Sequence, residues 1–327
     1  MEVVKNSILE RIQPLLDKAG MYYRIFARTK SHGSIVKKLT AKGSEYRKKN
    51  KKMQDLIGIR VVFYFQDDVL AFYHKLQEIE GYDKNNESFS KKELNELTDL
   101  INSWGENIDS EKSKLKRLLP FHDKIFMPER LNLVIRMNDK EAEMTRDFLN
   151  GLNDSEIDVS LIDTTFEIQL RTVLSEGWHE VEHDLRYKTQ QEDWWNFCTE
   201  ESRMLNGIYA SLETSESSLS MLIDKIAYKN YKNKNWDAMI RFHFRRRMTE
   251  SKLSDDVCSF LNQHQRIAKK ILYIERNELA NHLWNIKTGS LVISSDLILF
   301  LVNRLYLDSN ELRDLEPIAI KIILNKS

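Results

Sequence analysis

The run Ile57-Gly-Ile-Arg-Val-Val-Phe-Tyr-Phe65 constrains the fold of this chain more than any other segment. Its side chains are mainly β-branched and aromatic, which is typical of a largely buried strand. The segment after it, at about 67–80, has the apolar spacing of a helix. Similar patterns predict two more strands, at 131–137 and 165–171, and further helices at 2–19, 31–42, 141–150 and 173–187.

Two stretches of the chain depart from this mixture of strands and helices. From Gly81 to about Leu119 polar residues predominate, and we interpret 81–126 as an insertion between two strands. Beyond Gln190 the apolar spacing is helical, with few strand signals. The sequence therefore predicts an α/β domain at 1–190, with that insertion, followed by an all-helical domain at 191–327.

The overall composition predicts a globular protein without a membrane span. Hydrophobic residues make up 41% of the 327 residues, which is enough for a packed core. The longest apolar stretch, Ser290 to Tyr306, contains polar and charged residues and falls short of the roughly 20 apolar residues that a membrane helix needs. The N-terminal segment has no apolar signal core, and Cys198 and Cys258 lack CxxC spacing, so we expect a cytoplasmic protein.

Positive charge is concentrated in one segment although the net charge of the chain is zero. Between Arg28 and Arg60 there are eleven Lys and Arg residues against only Glu45 and Asp55. Within it, Arg28, Lys30, Ser34 and Lys38 place cations and a hydroxyl around one glycine, and Ser34 and Lys38 are one helical turn apart. Such a cluster can bind a triphosphate through charge-assisted hydrogen bonds, and a solvated surface helix would also explain it.

Two carboxylates occupy positions that suit a metal site. Asp55 begins the motif Asp55-Leu-Ile-Gly-Ile-Arg60 in front of the buried strand, where it is either a turn residue or a Mg²⁺ ligand. In Phe166-Glu-Ile-Gln-Leu-Arg171 the period of two places Glu167, Gln169 and Arg171 on one face of a strand. A half-exposed strand without a function would show the same alternation.

The helix after that strand contains His179-Glu-Val-Glu-His183, which matches the HExxH pattern of zinc metalloproteases. No convincing third ligand lies where the longer zinc signatures require one. We therefore expect that His179 and His183 bind no zinc.

In their order, these clusters resemble the RelA/SpoT-type alarmone synthetases. The shared pattern is Arg-x-Lys-x₃-Ser-x₃-Lys, then Asp-Leu-x-Gly-x-Arg, then Glu-Ile-Gln-Leu-Arg-Thr with Trp-x₃-Glu-His-x₃-Tyr-Lys downstream, and it covers about residues 20–190. The resemblance implies a mixed-sheet α/β nucleotidyltransferase-like domain that transfers pyrophosphate from ATP to the 3′-hydroxyl of a nucleotide, usually GDP or GTP. It implies Mg²⁺ as the cofactor. By the same resemblance, ATP would be bound by Arg28, Lys30, Ser34, Lys38 and Arg60, catalysis and Mg²⁺ would depend on Asp55 and Glu167, and the pocket would be completed by Gln169, Arg171 and His183.

The sequence departs from the family pattern in front of the second predicted strand. The family usually carries Gly-Tyr-x-Ser-Leu/Ile-His there, and its tyrosine stacks on the acceptor guanine. The aligned stretch Met127–Ile135 has neither the tyrosine nor the histidine. Either Phe126 or Phe121 replaces the ring, or the acceptor is another one, an adenine nucleotide or the 3′ end of a tRNA as in toxin-like relatives. His122-Asp123 is a His-Asp pair, but the chain lacks the helical domain of the family's hydrolase half. We therefore expect a synthetase alone.

A rival interpretation is a catalytically inactive relative that senses or scaffolds through its helical domain. The presence of Arg28, Lys30, Ser34, Asp55 and Glu167 argues against it, because nothing in the fold demands these residues. The cluster from Arg241 to Arg247 could contact RNA or a partner protein, but we favour an amphipathic helix with a solvated basic side. A homo-oligomer is compatible with the sequence.

Overall fold

Five strands of the described residues form one sheet, in the order β1-β2-β5-β4-β3. The structure is a computed structural model, and it describes residues 1–87, 131–151, 158–182, 199–250, 252–287 and 291–325. The strands are β1 Tyr23–Thr29, β2 Ile57–Phe63, β3 Tyr82–Glu87, β4 Leu131–Arg136 and β5 Thr165–Thr172.

The sheet has one apolar face and one polar face because β4 and β5 both alternate. They run antiparallel, with the apolar pairs Leu133↔Ile168 and Ile135↔Phe166 buried in the core. In an antiparallel pair, residues directly opposite each other point to the same side. Asn132 is paired with Gln169, so both lie on the polar face. The other even-numbered residues of β4 and odd-numbered residues of β5 lie on the same face. This alternation is the one predicted for Phe166–Arg171.

The sheet is mixed, as predicted. Backbone hydrogen bonds from Lys30 to Leu56 (2.8 Å) and from Tyr64 to Tyr22 (3.1 Å) join the opposite ends of β1 and β2, so these strands run antiparallel. A parallel bridge between Met53 and Ile162 precedes β2 and β5. Strands β3, β4 and β5 pair antiparallel.

The helices carry most of the remaining described chain. Short 3₁₀ and π-helical turns occur at Val159–Leu161 and Asn303–Leu307. Among the described residues, none of the helices combines the length and the apolar character needed to cross a membrane. The helices are α1 Glu2–Lys18, α2 His32–Lys49, α3 Gln66–Gln77, α4 Asp139–Asn150, α5 Val173–Glu182, α6 Thr199–Lys232, α7 Trp236–Phe244, α8 Asp255–Gln263, α9 Gln265–Ile271, α10 Arg276–Asn285, α11 Ser295–Val302, α12 Asn310–Asp314 and α13 Ile318–Leu324.

The structure differs from the predicted secondary structure at three places. Strand β1 was not predicted, because its outward residues are Arg24, Phe26 and Arg28 and its inward residues are only half-buried. Helix α2 continues to Lys49, seven residues beyond its predicted end, since its basic last turn suits a helix C-terminus and Asn50 caps it with a φ of 49°. Residues 82–87 of the predicted insertion form the edge strand β3, where pairing with β4 overrides a polar sequence. The rest of 81–126 lies outside the described residues.

The chain divides into two compact units that do not follow the predicted boundary at residue 190. The first is Met1–Lys5, Ile25–Val62 and Ile79–Glu216, and the second is Asn6–Arg24, Phe63–Glu78 and Ser217–Ser327. Most of α1 therefore belongs with the C-terminal helices, because it bonds to α10. The Trp284 indole N–H donates to the Leu15 carbonyl at 2.7 Å, and Lys18 donates to the Trp284 carbonyl at 2.8 Å.

The second unit is helical around a core of aliphatic and aromatic side chains, as predicted for the C-terminal region. The basic cluster Arg241–Arg247 within it is not a solvated surface throughout. Arg246 is 1% exposed and bonds to Asp68, while Arg245 bonds to Asp224 at 2.8 Å and to the Ser220 carbonyl. The expectation of a solvated basic side is therefore wrong for these two arginines, because ion pairs inside the unit hold them.

Candidate active site

A cavity of about 910 Å³ lies on the polar face of the sheet, inside the first unit. Its walls come from β1, β2, β4, β5 and the start of α2, with α5 at one side. The residues that line it are Phe26, Ala27, Arg28, Thr29, Lys30, Ser31, Ser34, Asp55, Gly58, Ile59, Arg60, Asn132, Glu167, Gln169, Arg171, Glu176, His179 and Glu180.

Asp55 is held by two lysines at this cavity. Its Oδ2 accepts hydrogen bonds from Lys30 Nζ at 3.0 Å and from Lys38 Nζ at 2.6 Å. Burial raises the pKa of the Asp55 carboxyl, but the hydrogen bonds and charges of Lys38 and Lys30 outweigh burial and hold the pKa below its usual value. Asp55 is therefore an ionised carboxylate at neutral pH.

The start of helix α2 lines the same cavity through Ser31 and Ser34. Ser31 is the N-cap: its Oγ accepts from the Ser34 backbone N–H at 3.4 Å and lies 2.8 Å from the Ser34 Oγ. The N-terminus of a helix attracts anions because its first N–H groups have no partner inside the helix. This helix end and Lys30 therefore give the cavity a wall whose charge suits an anion.

Arg60 is enclosed by polar groups from β5 and α5. It donates from Nε to Gln169 Oε1 at 3.3 Å and from Nη1 to the carboxylates of Glu176 and Glu180. Arg171, which is 9% exposed, donates to Glu176 at 2.9 Å and to the same Gln169 oxygen at 3.3 Å. Two arginines, two glutamates and one glutamine thus form one network along the wall.

The carboxylates of Asp55 and Glu167 suit a divalent cation that is bound mainly by phosphates. The Asp55 Oδ1 is buried and has no hydrogen-bond partner among the described residues. Glu167 lines the same cavity from β5. Mg²⁺ commonly takes one or two carboxylates and completes its coordination with phosphates and water, so these residues fit that ion.

The structure brings nearly all predicted site residues together. Lys38 lies behind the wall and reaches the site through Asp55, and His183 lies outside the described residues. The others, which line the cavity directly, are Arg28, Lys30, Ser34, Asp55, Arg60, Glu167, Gln169 and Arg171.

Sequence reasoning missed several residues of the cavity wall. Phe26 is 53% exposed there and shares a face of β1 with Arg28. The alternation of Arg24, Phe26 and Arg28 in the sequence was the signal that could have placed Phe26 on this face. Asn132 and Glu176 stood in no recognisable motif, and Glu180 stood only in the HExxH match, which was not interpreted as part of this site. The proposed stacking residues Phe121 and Phe126 lie outside the described residues.

His179 lines the cavity and is 6% exposed, whereas its HExxH partner His183 lies outside the described residues. In the part of the chain that the structure describes, no group of three or more His, Cys, Asp or Glu residues could hold a metal ion. The absence of zinc at His179 and His183 stays a prediction.

Comparison with known proteins identifies a family for part of the chain. Residues 27–109 match the family model described as a region found in RelA / SpoT proteins. None of the curated proteins matches the chain. Similar solved structures include small alarmone synthetase 1 from Bacillus subtilis bound to its product pppGpp, with 18% identity, a TM-score of 0.39 and coverage of 68% of this chain and 89% of that chain. The small alarmone synthetase 2 from the same organism has 19% identity, a TM-score of 0.38 and coverage of 66% and 93%.

A GTP pyrophosphokinase family protein from Streptococcus pneumoniae has 19% identity, a TM-score of 0.40 and coverage of 69% of this chain and 89% of that chain. The match to the family model contains the predicted ATP-binding residues and Asp55. The resemblance found in the motifs is therefore confirmed over residues 27–109, where this chain carries a RelA/SpoT region.

Proposed function

We propose that this chain transfers the terminal pyrophosphate of ATP to the 3′-hydroxyl of an acceptor nucleotide. The observation that carries the proposal is the convergence of two carboxylates and a basic cluster on one cavity, from three separate segments of the sequence. The match of residues 27–109 to the RelA / SpoT region supports it.

The basic wall is suited to bind the phosphates of ATP. Arg28, Lys30, Ser31 and Ser34 line the cavity, and Lys38 donates a hydrogen bond to Asp55. Charge-assisted hydrogen bonds from such groups neutralise the phosphates and favour the charge that develops in phosphoryl transfer. We assign ATP binding to these residues and to Arg60.

In the proposed reaction, the acceptor 3′-oxygen attacks the β-phosphorus of ATP. The bond between the 3′-oxygen and that phosphorus forms, the anhydride bond to the α-phosphate breaks, and AMP leaves. Glu167 orients the hydroxyl and takes its proton. Asp55 and Glu167 would hold Mg²⁺, which supplies neutralisation of phosphate charge.

We propose GDP or GTP as the acceptor, in line with the family's usual substrate. The missing tyrosine before β4 gives a second candidate, an adenine nucleotide or the 3′ end of a tRNA. Loss of one stacking contact would weaken guanine binding by about 1–3 kcal/mol. The absence of the tyrosine would be explained either by another aromatic side chain in its place or by a different acceptor.

Incubation of the purified chain with γ-labelled ATP, Mg²⁺ and one acceptor at a time tests the function. GDP, GTP, AMP, ADP and tRNA are compared at equal concentration, and the label is followed into the acceptor. We expect transfer to GDP and GTP. Label in tRNA or in an adenine nucleotide instead would establish the second candidate, and label in none of the acceptors would refute pyrophosphate transfer.

A further inference from the structure

Glu176 is a carboxylate that contacts two arginines of the cavity at once. Its Oε1 accepts a hydrogen bond from Arg60 at 2.5 Å, and its Oε2 accepts one from Arg171 at 2.9 Å. The side chain is 15% exposed, so water competes little for these bonds. Glu176 thus joins strands β2 and β5 through their two guanidinium groups.

The bonds to Glu176 leave part of Arg60 available to a ligand. Arg60 uses Nε and Nη1 for its bonds to Gln169, Glu176 and Glu180, and its Nη2 donates no hydrogen bond to the described residues. A guanidinium has five N–H donors in a rigid fork, so fixing one edge fixes the direction of the others. The edge that carries Nη2 therefore belongs to a side chain, Arg60, that lines the cavity and is held in one orientation.

A flexible arginine must lose rotamer freedom when it binds a ligand, and this loss weakens binding. A carboxylate that already holds the side chain in the free protein removes much of that loss. Glu180 binds the same Nη1 of Arg60, but its side chain is 56% exposed. Exposed ion pairs contribute little, so Glu176 is the carboxylate that fixes Arg60. Glu45, which forms an exposed ion pair with Lys49 on α2 and does not line the cavity, is the control.

We propose that Glu176 is a positioning residue that fixes Arg60 and Arg171 for nucleotide binding. The inference rests on the proposed function, in which this cavity binds ATP. It assigns a role to a residue of α5 that no motif in the sequence marks.

Steady-state kinetics and calorimetric titration with ATP and Mg²⁺ test the role in Glu176→Gln, Glu176→Asp and the control Glu45→Gln. Glutamine keeps the size but loses the charge, so we expect the KM and Kd for ATP to rise about tenfold to a hundredfold, with a smaller change in kcat. Aspartate keeps the charge but is one methylene shorter, and we expect an intermediate rise. Glu45→Gln, which removes an exposed ion pair outside the cavity, should stay within about twofold of wild type.

Thermal unfolding separates positioning from stability. A role in stability alone would lower the Tm and the active fraction of Glu176→Gln and leave the KM for ATP unchanged, and that result would overturn the proposal. Equal effects of Glu176→Gln and Glu45→Gln would overturn it too. If Glu176→Gln does not fold, the aspartate variant decides, because an unchanged KM there has the same meaning.

Failure of the proposed function gives a different result. A wild-type chain that neither binds nor transfers from ATP would remove both proposals together. A wild-type chain that transfers normally, beside a Glu176→Gln variant with a normal KM, would remove only the positioning role.

Discussion

At the scale of single residues, Asp55 combines the properties that a site for Mg²⁺ and ATP requires. Its Oδ2 is bound by Lys30 and Lys38, and its Oδ1 is buried without a partner among the described residues. A turn residue that served only to start strand β2 would need neither lysine. The local contacts therefore favour the functional interpretation of this carboxylate over the structural one.

Loss of either carboxylate should abolish transfer and preserve the fold. We expect Asp55→Asn and Glu167→Gln each to lower kcat by about a hundredfold or more, because each removes a metal-binding or proton-accepting group. Transfer from labelled ATP and circular dichroism measure the two effects. Asp158→Asn is the control, since Asp158 is exposed and bonds to Arg47 outside the cavity. Near-normal turnover in both site variants would show that the site has been assigned wrongly.

Arg28 should contribute directly to ATP binding. We expect Arg28→Ala to weaken binding by about 1.5–3 kcal/mol, the range for hydrogen bonds to charged groups. Calorimetric titration of ATP measures the change, with Arg47→Ala as a matched control because Arg47 does not line the cavity. Equal affinities of Arg28→Ala and wild type would remove Arg28 from the site.

Phe26 should stack on a nucleotide base, since its ring is 53% exposed at the cavity wall beside Arg28. Base–aromatic stacking is worth about 1–3 kcal/mol, so Phe26→Ala should raise the Kd for ATP about tenfold to a hundredfold. Phe26→Tyr keeps the ring and should bind like wild type. An unchanged affinity of the alanine variant would mean that the ring has no ligand.

At the scale of secondary structure, helix α6 places a carboxyl group where its charge opposes folding. The pKa of Glu213 is raised to about 7, chiefly by burial; a hydrogen bond from Tyr209 acts in the opposite direction, and the charge of the nearby Glu216 adds to the rise. Trp178 of α5 lies against the Tyr209 ring, with 6.2 Å between the ring centroids. The Tyr209 side chain that bonds to Glu213 therefore belongs to the packing between these two helices.

The stability of this packing should decrease as pH rises from about 4.5 to about 7. In that window an unfolded glutamate is ionised while the folded Glu213 still binds its proton, so ionisation favours unfolding; above pH 7 the loss is complete. We expect Glu213→Gln to raise the Tm relative to wild type at pH 8 by roughly 2 °C, and not at pH 4.5. Glu201→Gln, an exposed position on α6, is the control. A gain of equal size at both pH values would contradict the assignment.

At the scale of the whole molecule, two units are each built from segments that are distant in sequence. The second unit contains a buried imidazole, His243, whose Nε2 lies 3.1 Å from the Ile274 carbonyl oxygen. The pKa of His243 is lowered to about 4, chiefly by burial and then by the positive charge of Arg276. His243 is neutral in the folded protein.

Acid should therefore destabilise the second unit between pH 6.5 and pH 4. An unfolded imidazole binds a proton below about pH 6.5, while the folded one does not, so the free energy of unfolding falls through this window by up to roughly 3 kcal/mol. We expect His243→Gln to reduce the difference in urea midpoint between pH 7.5 and pH 4.5, as followed by tryptophan fluorescence. His264→Gln, at a half-exposed position, should leave it the same. An unchanged difference in His243→Gln would contradict the prediction.

The sequence alone determined those parts of the protein that depend on neighbouring residues. The apolar run at Ile57–Phe63 and the alternation at Phe166–Arg171 predicted β2 and β5, because strand periodicity is written within a few residues. The same strands carry Asp55, Arg60 and Glu167 to one cavity, which the order of the motifs had indicated. Strand β1 and the polar edge strand β3 could not be predicted, since their stability comes from pairing with distant strands.

Only the tertiary structure decided which side chains meet across long distances in the chain. Arg60 is 116 residues from Glu176, and nothing within either motif encodes that contact. Arg246 looked like part of a solvated basic cluster, yet it bonds to Asp68, 178 residues away, in the interior of the second unit. A local pattern determines whether a segment forms a helix or a strand. Which side chains contact each other depends on how distant segments pack. For this reason the sequence predicted most of the site residues but not the contacts between them.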